Sequence, residues 1–296
     1  MKSLICINTY KSVALVKSFI WDYIEFVKSN DEYSFVVSLD GKDSATIEYC
    51  KSHNIPLVYS ESNEGVGISK NRIIDSFSEY EYYFFIEDDI ELLNPEVFDI
   101  HIQLSKALDL HHFSLFEERR IREQRGSLEH NGYHIIQAMY GGAPFNFFTK
   151  KGLDRVGGFH TKFAKYKRFG HTEHSYRFVH NELSPSPFLI IEELLEGYFR
   201  WNDPISRIKI SVEVSKNRLF IEEERLIEEK IKFFPLQTLS PYYKSNIEQM
   251  QTLEGVIIDP NVKRHKQKFY LQQFFLDSFR KIKNSIKFIL KKPFAL

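Results

Sequence analysis

Tyr82-Tyr83-Phe84-Phe85-Ile86-Glu87-Asp88-Asp89 is the segment that decides how this chain folds. An apolar run that stops abruptly at three acids describes a buried strand delivering carboxylates to its C-terminal edge, where open α/β sheets place their ligands. A buried carboxylate without a partner is costly, so Glu87, Asp88 and Asp89 together call for a cation. Hard oxygen ligands suit Mg2+ or Mn2+, ions usually shared with substrate phosphates. The same residues also fit a strand end followed by a solvated acidic turn. Their neighbours separate the two.

Upstream, short apolar runs alternate with amphipathic stretches. Leu4 to Ile7 predicts a strand, and Val16, Phe19, Ile20, Tyr23 and Val27 recur at helical spacing. Phe35 to Leu39 predicts a second strand, closed by the turn signal Asp40-Gly41. A short helix around Ala45 to Lys51, a strand at Leu57 to Tyr59 and a helix around Ile68 to Phe77 lead into the acid-bearing strand. This βαβαβαβ order implies an α/β fold whose mostly parallel sheet has right-handed crossovers, so residues just past the strands share one crevice. Asn94-Pro95 opens a further helix to about Leu108, and Phe113 to Phe116 gives another strand. The polar, Arg-rich stretch from Glu117 to Tyr133 reads as an inserted loop or irregular excursion.

With 296 residues, 43% hydrophobic and 15% aromatic, the chain has enough apolar material for a globular enzyme, which argues against disorder. Formal charge sums to zero but is unevenly placed. Residues 262–296 carry ten Lys or Arg against the single acid Asp277, a net +9, which leaves the rest, with 30 basic and 39 acidic residues, at −9. An acidic body with a basic appendage suggests attraction to a negative surface. In that appendage Leu271, Phe275, Phe279, Ile282, Ile286 and Ile289 repeat at three and four, with Arg280, Lys281, Lys283, Lys287 and Lys291 largely on other faces. Such a helix suits an anionic membrane interface, or alternatively the protein's own body. Nucleic acid is not expected, because the aromatics lie on the apolar stripe and are not interleaved as stacking platforms. Cys6 and Cys50 have no metal or disulfide spacing, and neither a signal peptide nor an 18-residue apolar run is evident. The expectation is a cytoplasmic protein, peripheral at most on the inner face of the plasma membrane.

Several short motifs follow the strands in order: Asn-Thr-Tyr at 8–10, Val-Val-Ser-Leu-Asp-Gly at 36–41, Asn-x-Gly-x-x-x-x-Lys-Asn at 63–71, Phe-Phe-Ile-Glu-Asp-Asp at 84–89, Gly-Gly-Phe at 157–159 and Gly-His-Thr-Glu-His-Ser-Tyr-Arg at 170–177. In this order and spacing the chain resembles a family 2 glycosyltransferase of the GT-A fold, of the kind that builds bacterial polysaccharide, capsule or lipopolysaccharide. The resemblance covers residues 3 to about 200. It implies a GT-A catalytic domain at 1–205, a helical or irregular extension at 206–261 and a basic amphipathic helix at 262–296.

The resemblance further implies a nucleotide-diphosphate sugar donor, a UDP-sugar first, a saccharide or lipid-linked acceptor, and Mn2+ or Mg2+. Thr9, Tyr10 and Asp40 map to the nucleoside contacts, and Asn63, Gly65 and Lys70 to the segment near the phosphates. Lys70 stands where the family usually has Arg, keeping the charge and losing the bidentate fork. Glu87 takes the first position of an Asp-x-Asp motif and Asp89 the second, so Asp89 would bind the ion, Glu87 would reach the ribose or the metal, and Asp88 lies between them. Gly157-Gly158-Phe159 resembles the loop before the acceptor site, where glycines allow close approach, and it equally reads as a helix C-cap.

The family places an acidic general base near the last motif. Here His171 stands at that position, with Glu173 the carboxylate alternative; His171 and His174 also read as an exposed helix start. His171, His174 and His180 could ligate a metal, though their spacing favours none. A sugar-phosphate nucleotidyltransferase would share the α/β architecture, but Asn8 to Ser12 contains no glycine where that class has a Gly-rich loop. An inert nucleotide-sugar or glycan-binding module is the remaining alternative. A dehydrogenase is disfavoured, since no Gly-x-Gly-x-x-Gly follows the first strand.

Overall fold

The computed structural model describes residues 2–116, 121–142, 144–166, 170–202 and 226–291. Its first half follows the alternation expected from the sequence: β1 (Ser3–Thr9), α1 (Val13–Lys28), β2 (Tyr33–Leu39), α2 (Ser44–Ser52), β3 (Leu57–Ser60), α3 (Val66–Ser76) and β4 (Tyr82–Glu87). Alternate residues of each strand enter two different cores. Ile5, Ile7, Phe35, Val37, Phe84 and Ile86 pack on one side with the apolar stripe of α1 (Val16, Ile20, Tyr23, Ile24, Val27) and with Val97, Phe98 and Leu104 of α4 (Glu96–Leu108). Leu4, Cys6, Val36, Tyr83 and Phe85 pack on the other, with Ile73 of α3, Leu153 and Val156 of α5 (Lys150–Val156) and Phe178 of α7 (Gly170–His180). Covering both faces is why these strands read as continuous apolar runs. α4 starts one residue later than the expected Asn94 cap, with Pro95 at the cap position and Asn94 Oδ1 accepting the Glu96 amide at 3.0 Å.

The central sheet has seven strands in the order β12-β3-β2-β1-β4-β9-β6, with β6 at His112–Leu115, β9 at Phe145–Thr149 and β12 at Tyr242–Ser245. β3, β2, β1 and β4 pair in parallel, and β9 runs against both β4 and β6. The fold is therefore α/β with a mostly parallel sheet between two helical layers. The register aligns Asn8 with Ser38 on one side and Glu87 on the other, which brings the ends of these strands to a common edge.

Two expectations need correction. The described part of 117–133 is not an irregular loop: β7 (Arg122–His130) and β8 (Tyr133–Tyr140) form a hairpin, completed by β10 (Phe188–Ile191) into a three-stranded sheet. Its turn is Asn131-Gly132 with φ of 50° and 83°, the pair that a two-residue hairpin turn of matching twist requires. The second concerns 206–261. Residues 203–225 lie outside the described residues, but 226–261 is woven into the body. β12 pairs antiparallel with β3, the Phe35 amide donates to the Met250 carbonyl at 3.0 Å, and the Tyr49 hydroxyl donates to Asp259 at 2.9 Å.

The remaining elements are β5 (Ile90–Leu92), antiparallel to β11 (Phe199–Trp201), α6 (Lys162–Tyr166) and a thirty-residue C-terminal helix, α8 (Val262–Lys291). Among the described residues no helix is long and apolar enough to cross a membrane. Both cysteines are free and buried.

Candidate active site

The carboxyl edge of the sheet is built from the residues that end β1, β2 and β4. Asn8 is buried there and its Oδ1 meets no hydrogen-bond donor among the described residues; Asn63, in the loop after β3, has an Oδ1 in the same condition. Next to Asn8, the Thr9 hydroxyl donates to Asp88, whose carboxylate is thereby drawn beneath the surface at 1% exposure. Glu87 and Asp89, on either side of it, remain half-buried at the edge. Backbone bonds pin this acidic turn, the Glu87 amide donating to the Pro144 carbonyl at 2.8 Å and the Asn202 amide to the Asp89 carbonyl at 2.9 Å.

Asp40 is spent on shaping the next loop. Its two oxygens accept the amides of Glu64 and Gly65 at 2.9 and 2.7 Å, and Arg72 Nη2 adds 3.1 Å. Arg72 also reaches Glu64 at 2.7 Å, and its side chain is fully buried. The loop that holds Asn63 is therefore locked by a buried charged cluster. Gly41 lets it approach, since a Cβ there would sit 2.9 Å from the Asn63 nitrogen. Tyr10 is half-buried beside the same edge, with Lys11 Nζ 5.4 Å from its ring centroid.

Lys70 has another environment. Two residues apart on α3, Lys70 and Arg72 project about 200° from one another, so Arg72 meets Asp40 past the end of β2 while Lys70 turns toward β4 and β9. Lys70 Nζ lies under the edge, donating to Asn146 Oδ1 at 2.5 Å and standing 5.5 and 5.3 Å from the Phe85 and Phe159 rings. Burial lowers its pKa to about 8, against the pull of the nearby Glu87 carboxylate, so the ammonium is still mostly charged at neutral pH. The third member is His171, in the first turn of α7. Its ring is hydrogen-bonded to the Gly141 backbone, and burial, with Lys70 next in effect, lowers its pKa to about 4. The structure thus brings Lys70 within electrostatic range of both Glu87 and His171. A neutral imidazole that donates from one nitrogen keeps the other as an acceptor.

Glu173 goes elsewhere. Its two oxygens accept from Arg177 Nε and Nη2 at 2.7 and 2.5 Å, while Nη1 donates to the Val156 and Gly158 carbonyls at 2.9 and 2.6 Å. Glu173 and Arg177 are both buried, so the carboxylate clamps the 156–158 turn and is bound on its two oxygens already. His174 donates to the Gly157 carbonyl at 2.9 Å and His180 to the Ile231 carbonyl at 3.3 Å, so these two hold backbone. Gly157 caps α5 at φ 75°, and a Cβ on it would lie 1.8 Å from the Phe234 carbonyl oxygen. The glycine admits the chain's own strand-like segment there. Asn71 fixes the same turn from α3, accepting the Phe159 amide at 2.7 Å and donating to the Phe159 carbonyl at 2.9 Å.

Among the described residues no group of three His, Cys, Asp or Glu is arranged to hold a metal ion. An ion carried with a diphosphate needs only one or two protein carboxylates, and Glu87 and Asp89, half-buried at one turn, are of that kind. Four residues that shape the edge escaped the sequence reading: Asn8, Asn71, Arg72 and Asn146. Asn8 and Asn71 lie inside the motifs already quoted, and Arg72 could have been found from its opposition to Lys70 on a helix; Asn146 left no local signal.

No protein-family model matches the chain, and neither does any curated protein. Among solved structures, the S. aureus TarS 1–349 fragment is similar over 78% of this chain and 70% of its own, at 13% identity and a TM-score of 0.49. The chain spans only 43% of the longer TarS structure. The mannosyltransferase PcManGT of Pyrobaculum calidifontis, solved with GDP-Man and Mn2+, gives 14% identity over 67% of this chain and 58% of its own, at 0.46. A glycosyltransferase involved in glycosylation of the major capsid of PBCV-1 gives 12% identity over 73% and 100%, at 0.40. At these scores the likeness carries no assignment of activity.

Proposed function

We propose that the chain is a nucleotide-sugar glycosyltransferase of GT-A type, moving a sugar from a nucleotide-diphosphate donor to a saccharide acceptor. The observation that carries this reading is the incompleteness of the carboxyl edge. Two amide oxygens, Asn8 Oδ1 and Asn63 Oδ1, are buried without a partner among the described residues beside an acidic turn. Buried acceptors are nearly always satisfied, so a ligand with N–H or O–H donors is the natural partner, and a nucleoside supplies both. The sequence motifs from Asn8 to Arg177 support the same assignment.

In this reading Thr9, Tyr10, Asp40, Asn63 and Gly65 border the nucleoside, Lys70 and the acid turn face the diphosphate, and Asp89 with Glu87 would hold Mn2+ or Mg2+. When bound, that ion neutralises the charge gathering on the departing diphosphate. His171, neutral at pH 7, accepts the proton of the acceptor hydroxyl as its oxygen bonds to the anomeric carbon. The bond from that carbon to the diphosphate breaks, and the nucleoside diphosphate leaves with the electron pair. A single displacement of this kind inverts the anomeric centre. We assign the base to His171 over Glu173 because Arg177 already binds the two oxygens of Glu173. An acceptor carried on a lipid suits a chain whose C-terminal segment is both apolar and basic.

The test is thermal stabilisation by UDP- and GDP-sugars with and without Mn2+, followed by donor hydrolysis. Binding to the folded state alone raises the melting temperature by mass action. Stabilisation together with hydrolysis supports the transferase. Stabilisation with no hydrolysis or transfer supports an inert nucleotide-sugar-binding module, which the engaged Glu173 favours. Absence of stabilisation by any nucleotide sugar refutes both.

A further inference from the structure

α8 changes character at Tyr270. Before it, the helix is fastened to the body: Lys266 Nζ binds Asp22 at 2.9 and 2.8 Å and Glu91 at 3.0 Å, and the Tyr270 hydroxyl donates to Glu91. Phe269 is buried against Leu15 and Phe19, its ring centroid 5.1 Å from that of Phe19. After it, large apolar side chains stand in the open. Leu271 is 57% exposed, Phe274 66%, Phe275 58%, Leu276 43% and Phe279 69%. Five such residues within nine form a patch, and contiguous exposed apolar surface marks an interaction site.

We propose that this outer half of α8 is a docking surface for an anionic lipid bilayer, on which it lies in the headgroup plane. The charge decides the occupant. Over 271–291 the sequence has Arg280, Lys281, Lys283, Lys287 and Lys291 against Asp277 alone. A second copy seated on the patch would set this excess of +4 against its own equal, whereas anionic headgroups neutralise it. The apolar stripe also keeps phase: Leu271, Phe275 and Phe279 fall within about 80° on a helix, and Ile282, Ile286 and Ile289 return to the same sector. The segment is too charged to span, in keeping with the absence of a crossing helix among the described residues. The anchored root beside Glu91, two residues past Asp89, ties the surface to the acid turn.

The proposal is independent of the glycosyl-transfer reading, because its test uses no donor. Full-length protein is sedimented with vesicles of phosphatidylcholine alone and of phosphatidylcholine mixed with phosphatidylglycerol, at low and high salt. The expected result is binding to the mixed vesicles, weakened by salt. The triple variant Phe274→Glu, Phe275→Glu, Phe279→Glu should lose it with an unchanged melting temperature, since these side chains are exposed. Replacing Arg280, Lys281, Lys283 and Lys287 by Gln should weaken it about fivefold per charge. Three outcomes overturn the proposal: no binding to the mixed vesicles, undiminished binding by the triple variant, or a concentration-dependent dimer in sedimentation velocity that the triple variant abolishes, which would make a second copy the occupant.

Discussion

Two charged clusters flank the 157–159 turn and are built on opposite terms. Glu173 and Arg177 saturate one another and the carbonyls of Val156 and Gly158, so the pair is a closed unit that fastens α7 to the turn. At the neighbouring edge Lys70 stands within electrostatic reach of Glu87 and of His171. Lys70 donates to a neutral amide, and its pKa and that of His171 are both depressed by burial. A bidentate buried ion pair contributes scaffold; a buried cation held by a neutral amide keeps charge that a ligand can use.

The sharpest way to break this contrast is to attack each cluster and read fold and turnover separately. Asp89→Asn should reduce glycosyl transfer about 10³-fold or more, because a metal ligand supplies several kcal/mol of transition-state stabilisation, while the melting temperature stays near that of the parent. Surviving activity in EDTA would end the metal assignment. Arg177→Met should do the reverse and cost about 3–5 kcal/mol in stability, since it strands the Glu173 carboxylate in the interior; denaturant titration measures it. A shift under 1 kcal/mol would show that the pair is not structural.

His171→Ala should lower the turnover rate by about 10²-fold or more with donor affinity kept, as expected for loss of a general base. Near-normal rates at saturating acceptor would remove His171 from the chemistry. The pH profile refines this point. A base must be neutral to act, and with a folded-state pKa of about 4 the acidic limb of kcat/KM should lie near pH 4, well below an ordinary histidine limb. The limb of kcat should lie higher, because a bound diphosphate favours the imidazolium. Coincident limbs near 6.5 would contradict the burial seen here.

Stability should follow pH for a related reason. Burial lowers the pKa of His101, His160 and His171 to about 4, of His112 to about 3 and of His174 well below its usual value. The depressed pKa means that the unfolded chain takes up protons below about pH 6.5 that the folded rings refuse, so stability should be flat near neutrality and fall as pH drops from about 6.5 toward 4. Melting temperatures across that window test it. The smallest effect is expected from Lys70→Met, within about 1 kcal/mol of the parent, because the lost hydrogen bond is offset by relief of a buried charge. Its consequence should appear in donor affinity instead.

How much of this was legible beforehand follows the range of the forces. The alternation of strands and helices through β4, the apolar stripe of α1 and the acids at the end of β4 are local patterns of period and termination, and residues 3–89 were readable from them. The β7–β8 hairpin was equally local, written in Asn131-Gly132, and was hidden by the polar, Arg-rich composition around it. For the candidate site, parallel strands that end together placed Thr9, Asp40, Glu87 and Asp89 near one edge, and the family resemblance added Lys70 and His171.

What each of those side chains does there was decided only in three dimensions. Glu173 and His171 are two residues apart, His171 at the base position of the family and Glu173 with the more usual base chemistry; Arg177, which also binds backbone carbonyls about twenty residues away, takes Glu173 and leaves His171. Asn71 finds Phe159 across 88 residues, Tyr49 finds Asp259 across 210, and β12 closes the sheet beside β3. α8 reads as one uninterrupted amphipathic helix, yet it divides at Tyr270 because Glu91, Asp22 and Phe19 happen to lie within reach of its first turns alone. Periodicity records which side of an element avoids water, while the partner that meets that side is set by loop closures far along the chain, whose outcome no local pattern contains.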